Sequence, residues 1–102
     1  MARITLCGST RFKDAFLEWD RRLSLEGHVV YSVSCFGHSG DELTGQEKAV
    51  LDRVHMLKID NSDEIFVLDV GGYIGASTRR EIEYAKLVGR KIRYLSEITK
   101  ED

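Results

Sequence analysis

Apolar residues recur along this chain with two alternating periods. Arg3 to Cys7 is a short apolar run that predicts a buried strand, and the apolar positions that follow, Phe12, Phe16, Trp19 and Leu23, stand at helical spacing. Gly27 ends that helix. His28 to Val33, rich in β-branched residues, predicts a second strand, and Ser34 to Glu42 a polar loop holding Gly37 and Gly40. A second helix is predicted over about Thr44 to Asp60, with Leu43, Glu47, Val50, Val54 and Leu57 along one side and Glu47 interrupting the stripe. Asn61-Ser62-Asp63 breaks it, Glu64 to Leu68 is the third strand, and a glycine run follows. Thr78 to Val88 predicts a third helix ended by Gly89, and Lys91 to Leu95 a fourth strand. The tail from Ser96 is expected to fray.

Strands that alternate with helices imply right-handed crossovers and a parallel sheet with helices on both faces, the α/β class. In such sheets a ligand sits beyond the carboxyl ends of the strands, where strand order reverses. The loops after the strands are therefore where chemistry is sought: Gly8-Ser9-Thr10-Arg11, then Ser34 to Gly40, then Asp69 to Ser77. A length of 102 residues, with no linker, repeat or proline, predicts one domain over residues 1–102. The 15 basic and 17 acidic residues give a net charge of −2, which argues against a nucleic acid polymer as partner. The chain begins directly in a strand pattern and has no apolar run near the roughly 20 residues of a membrane span, so neither secretion nor membrane insertion is expected. Cys7 and Cys35 are expected as thiols in the cytoplasm.

Two of these loops have the makings of an anion or sugar site. Gly8 permits close backbone approach, Ser9 and Thr10 offer hydroxyls, Arg11 offers charge, and the start of a helix favours an anion. The same Ser and Thr also serve as ordinary N-cap residues. In the later loop, Gly71, Gly72 and Gly75 fall within five residues, a costly concentration unless the chain turns sharply or approaches a ligand. Thr78-Arg79-Arg80-Glu81 fits a capping box, with Glu81 reaching back to Thr78. The rival reading of Glu81 is a carboxylate facing the crevice, and the residues leave both open.

Taken together, Cys7-Gly8-Ser9-Thr10-Arg11, Ser62-Asp63, and Gly75 leading to Glu81-Ile82-Glu83-Tyr84-Ala85 and Gly89-Arg90-Lys91-Ile92 resemble the nucleoside 2-deoxyribosyltransferase superfamily, which includes deoxynucleoside 5′-monophosphate N-glycosidases. The resemblance runs from Ile4 to Tyr94. It implies a flattened Rossmann-like sheet of about four to five strands that binds a nucleoside or nucleotide, without a cofactor. It also implies that the Glu matched by Glu81 attacks the anomeric carbon and displaces the base, with water or a second base resolving the glycosyl-enzyme. Gly8, Ser9 and Arg11 are then expected to face the sugar or 5′-phosphate, with Thr10 beside them and Ser77 or the Gly75 backbone completing the phosphate site. The acid that protonates the base is usually a carboxylate about eight residues ahead of the Ser-Asp pair. His55 stands there, with Asp52 one turn earlier to orient it, and Asp69 is the competing acid. Glu83 stands where the family usually has Gly, and the family's C-terminal segment, which reaches a neighbouring subunit, has no counterpart. A homodimer or larger homo-oligomer is expected all the same, because a four-strand sheet leaves edges.

Cys35-x-x-His38 is half of a zinc pattern with no second pair at usable spacing, so no metal is expected from Cys7, His28, Cys35 and His38. Tyr31, Tyr73 and Phe36 are candidates for base stacking or packing. The expected function is cleavage or transfer at an N-glycosidic bond. The alternative is a non-catalytic nucleotide-binding module of the same fold.

Overall fold

The computed structural model describes residues 1–37 and 40–99. Four strands and four helices alternate: β1 (Arg3–Cys7), α1 (Lys13–Leu25), β2 (Val29–Tyr31), α2 (Gly45–Asp60), β3 (Glu64–Val67), α3 (Ala76–Leu87), β4 (Lys91–Tyr94) and α4 (Leu95–Thr99). The strands form one sheet in the order β2-β1-β3-β4, and every neighbouring pair is parallel. The chain goes from β1 outward to β2 and then crosses back to β3 on the other side of β1. The reversal of strand order lies between β1 and β3, which makes their carboxyl ends the natural crevice.

Strand alternation divides the core between the two faces of the sheet. Ile4, Leu6, Phe66 and Leu68 pack with Phe16, Trp19 and Leu23 of α1 and with Leu95 of α4. The Trp19 and Phe66 rings meet edge to face at 5.0 Å. Cys7, Ile65 and Val67 face the other way, against Ile59 of α2 and Ile82 and Ala85 of α3. Helices therefore cover both faces of a single α/β domain, and no described helix is long and apolar enough to cross a membrane.

The Ser62-Asp63 pair sets the register of the two central strands. Asp63 accepts from the Arg3 backbone N–H at 2.8 Å and returns its own N–H to the Arg3 carbonyl at 2.8 Å. The Ser62 hydroxyl donates to the Lys58 carbonyl at 2.7 Å, which leaves the buried Thr5 hydroxyl as donor in the Thr5–Ser62 hydrogen bond. End of α2 and start of β3 are thus tied to β1 by side chains whose polar groups are satisfied.

Several sequence expectations need correction. The strand expected over His28 to Val33 covers only Val29–Tyr31. In α2 the buried residues are His55 and Ile59; of the predicted stripe, Leu43 and Val54 are half-buried and line the cleft described below, while Val50 is 46% and Leu57 53% exposed. The capping box belongs to α2, where Glu47 accepts from the Thr44 N–H at 2.9 Å and the Thr44 hydroxyl accepts from the Glu47 N–H at 3.1 Å. Those bonds hold the Glu47 carboxyl below the usual range, and they account for a charge that looked misplaced in an apolar stripe. Helix α3 starts two residues earlier than expected, with Gly75 at its N-cap and no side-chain cap, so Thr78 and Glu81 form no capping box. The chain expected to fray from Ser96 continues in α4 to Thr99, and residues 100–102 lie outside the described part.

Candidate active site

Two loops at the β1/β3 switch point shape the cleft, and each depends on glycine at a specific place. A Cβ on Gly8 would meet the Leu68 carbonyl oxygen at 3.1 Å and the Leu68 Cβ at 3.2 Å, so glycine lets the exit of β1 pass close to the exit of β3 without displacing Leu68. After β3, Gly71 and Gly72 take φ of 63° and 84° within a 3-10 turn, Val70–Gly72, that swings the chain back over the sheet. Helix α3 then begins beside the crevice, with Gly75, Ala76, Ser77 and Thr78 among its lining residues.

The resulting cleft has a volume of about 510 Å³, within the range of small-molecule sites. Glu81 enters it from α3 and His55 from α2. The His55 Nε2 atom lies 3.6 Å from Glu81 Oε1 and 3.5 Å from the Sγ of Cys7, the last residue of β1. Side-chain exposure is only 13% for Glu81 and 7% for His55, and Cys7 is fully buried. Glu81 Oε1 is itself buried and accepts no hydrogen bond of good geometry, only the weak pull of the nearby Cys7 thiol, and is one of two such side-chain atoms among the described residues. Native folds seldom leave a buried carboxyl oxygen unpaired without a chemical reason. The two helices that carry the pair are clamped together behind it. Arg90 donates to the Ile59 and Asp60 carbonyls at 3.2 and 2.8 Å, and the Tyr84 hydroxyl donates to Asp60 at 2.6 Å.

Burial determines the protonation of this pair. It raises the Glu81 carboxyl from an ordinary 4.5 to about 7; the neighbouring Cys7 thiol pulls the other way, and Asp52 adds to the rise. It lowers His55 from 6.5 to about 4, helped by the Lys58 charge and opposed by Asp52. The Cys7 thiol is pushed well up, first by burial and then by the Glu81 charge. Between about pH 4 and pH 7 both Glu81 and His55 are therefore neutral, and their 3.6 Å approach is a contact rather than an ion pair. Above that range Glu81 becomes a poorly solvated carboxylate, a more reactive species than one in water.

The chain matches no family model, no curated protein and no solved structure. Its chemistry has to be read from the cleft itself. Of the residues selected from sequence, Glu81, His55, Gly8, Ser9, Thr10, Tyr73, Gly75 and Ser77 all line it. Asp52 lines it too, paired with Lys48 at 3.0 Å. Arg11 does not: its guanidinium lies 4.4 Å over the Tyr73 ring and its Nε donates to the Ser9 hydroxyl at 3.1 Å. Arg11 thus braces two lining residues from behind. Phe36 packs in the core against Phe16, and Tyr31 is half-buried at the edge of the sheet. His28 accepts from the Ala2 N–H at 3.0 Å, at the opposite end of the sheet from Cys7, and His38 lies outside the described residues.

Asp69 is buried but absent from the cleft. Its two oxygens accept from the Ser96 N–H at 2.9 Å and the Ser96 hydroxyl at 2.6 Å, which anchors the first turn of α4. Asp69→Ala is accordingly expected to destabilise the fold by about 2 kcal/mol, a melting decrease on the order of 10 °C, with turnover per folded molecule unchanged. Retained stability with lost turnover would instead make Asp69 a participant in the chemistry. The residue that sequence reasoning missed is Cys7. Period-two alternation along β1 sets it on the same face as Thr5, toward α2 and α3, and that signal was available.

Proposed function

We propose that this cleft binds a nucleoside or nucleoside 5′-monophosphate and breaks its N-glycosidic bond, with Glu81 as nucleophile. The observation that carries the reading is the Glu81 carboxyl: buried, one oxygen unpaired, titrating near neutrality and facing a cleft of about 510 Å³. Gly8 and Ser9 at the end of β1, with Gly75 and Ser77 at the start of α3, supply hydroxyls and backbone N–H groups suited to a sugar or phosphate. Tyr73 supplies an aromatic face for the base.

One proton serves both roles that the reaction needs. Substrate binding has to close the 3.6 Å gap to hydrogen-bond distance, or place one water across it, and the proton that then passes from Glu81 to the His55 imidazole converts the neutral pair into a carboxylate and an imidazolium. The carboxylate then forms a bond to C1′ as the C1′–N bond breaks, and the departing base takes the bonding electrons and the proton from His55. Water or a second base then attacks C1′, giving up its proton to the now neutral His55 as the C1′–O bond to Glu81 breaks, and that proton returns to the freed carboxylate, giving hydrolysis or transfer. In the empty cleft this proton transfer is opposed by burial, which favours the neutral form of both groups. Positive charge developing on the sugar next to Glu81 offsets that cost in the transition state.

The test is chromatography of free base released from a panel of purine and pyrimidine nucleosides and their 5′-monophosphates, in ribo and deoxy forms. Release from at least one of them is expected. Binding of a monophosphate in equilibrium dialysis without any release would reject the enzyme in favour of the non-catalytic nucleotide module, and neither binding nor release would reject both.

A further inference from the structure

Cys7, His55 and Glu81 come from three different elements, β1, α2 and α3, yet their Sγ, imidazole nitrogen and carboxylate oxygen all lie within 4.8 Å of one another. A tetrahedral zinc ion, with bonds of about 2.3 Å to sulfur and about 2.0 to 2.1 Å to nitrogen or oxygen, holds its donors about 3.3 to 3.6 Å apart. Here the separations from His55 Nε2 are 3.5 Å to sulfur and 3.6 Å to oxygen. We propose that Cys7, His55 and Glu81 form a binding site for a thiophilic divalent cation of the zinc or cobalt class, and that the cation, when bound, takes Glu81 out of use as a nucleophile.

Charge balance favours such an occupant. A thiolate, a carboxylate and a neutral imidazole contribute two negative charges, which a divalent cation cancels, so the buried cluster becomes neutral overall. The orphaned Oε1 of Glu81 gains a partner, and the Cys7 thiol loses its proton to solvent on binding. His55 and Glu81 line the cleft while Cys7 lies behind them, so the ion enters from the cleft and water there completes a four-coordinate shell. The ligand set has one sulfur, one nitrogen and one carboxylate oxygen, which favours zinc, cobalt or cadmium over magnesium or calcium.

The site itself is separate from the glycosidic reading, since binding is measured without turnover, while its effect on Glu81 as a nucleophile rests on that reading. Metal-free protein, kept reduced with a phosphine, is titrated with Co²⁺ and followed by absorption. We expect one equivalent to produce a near-ultraviolet thiolate-to-cobalt band with visible bands of four-coordinate intensity, both bleached by one equivalent of Zn²⁺. Cys35→Ser should keep the band and Cys7→Ser should lose it. Because Cys7→Ser sits in the core, Glu81→Gln and His55→Ala provide a second arm, each weakening Co²⁺ binding by at least about 10-fold. No thiolate band in the wild-type protein, a band that survives Cys7→Ser, or unchanged affinity in both second-arm variants would each overturn the site. Base release by metal-free protein is read separately, so a cobalt band without base release rejects only the glycosidic reading, and base release without a band rejects only the metal site.

Discussion

Glu81→Gln is expected to stabilise the protein by about 2 kcal/mol at pH 8 while lowering base release at least about 10³-fold. The rise of the Glu81 carboxyl from 4.5 to about 7 corresponds to about 3 kcal/mol against the charged form in the folded state. Its sign follows from linkage. A carboxyl raised on folding favours the folded state most below its unfolded value, and that benefit is lost as pH rises through about 7. At pH 8 the wild-type protein holds an uncompensated carboxylate, whereas glutamine mimics the protonated acid at every pH. The buried amide retains some desolvation cost, which trims the gain to about 2 kcal/mol. At pH 5, where Glu81 is already protonated, the difference should shrink toward zero. Urea denaturation at both pH values with EDTA present, so that the cluster carries no metal, measures this directly. A helix-capping carboxylate would behave oppositely, since its replacement costs about 1 kcal/mol. A Gln variant less stable than wild type at pH 8 would therefore mean that the carboxylate is supported after all, and would remove the main physical reason for calling it reactive.

The parts of the molecule that serve only folding were legible in the sequence. The apolar run of β1 and the Phe16, Trp19, Leu23 spacing were enough to place β1 and α1, because Ile4, Leu6, Phe16, Trp19 and Leu23 share one core. Helix α2 was misread for the converse reason. Its cleft side mixes Leu51 and Val54 with Lys48, Asp52, His55 and Lys58, so the apolar period is broken there and the predicted stripe ran partly onto the exposed Val50 and Leu57. The capping box went astray because Thr44-Gly45-Gln46-Glu47 and Thr78-Arg79-Arg80-Glu81 carry the same signature. Only the path of the chain, which starts α3 at Ala76 behind an N-cap glycine, separates them. Asp69 is the turn residue ahead of the glycines that the sequence offered, its carbonyl accepting from the Gly72 N–H at 2.8 Å, but its side-chain partner, Ser96, is 27 positions away and joined to it only by the fold. Cys7, read as a small buried thiol, gains chemical meaning from two neighbours, His55 and Glu81, that no local pattern connects to it.

The second large effect concerns pH, because burial moves the two members of the cleft pair in opposite directions. His55, depressed from 6.5 to about 4, contributes stability that is complete above 6.5 and is lost as pH falls toward 4. Glu81, raised from 4.5 to about 7, contributes stability that is complete below 4.5 and is lost as pH rises toward 7. Between pH 4.5 and 6.5 each changes stability by about 2 kcal/mol, at a slope of at most about 1.4 kcal/mol per pH unit and of opposite sign, so the pair together leaves wild-type stability nearly flat. Single variants should expose the hidden slopes. Relative to wild type, Glu81→Gln should lose about 2 kcal/mol as pH is lowered from 6.5 to 4.5, and His55→Gln should lose a similar amount as pH is raised over the same range. Desolvation is the first cause of both shifts, so removing one group leaves most of the other's shift in place. Asp52, Lys48, Lys58, Arg80 and Cys7 remain in both variants, and subtracting wild type at each pH cancels groups that titrate alike in all three proteins. Urea denaturation at pH 4.5, 5.5 and 6.5 in EDTA yields the slopes. Variants that both track wild type across this range would show that Glu81 and His55 titrate at ordinary values, leaving no neutral pair to exchange a proton across 3.6 Å.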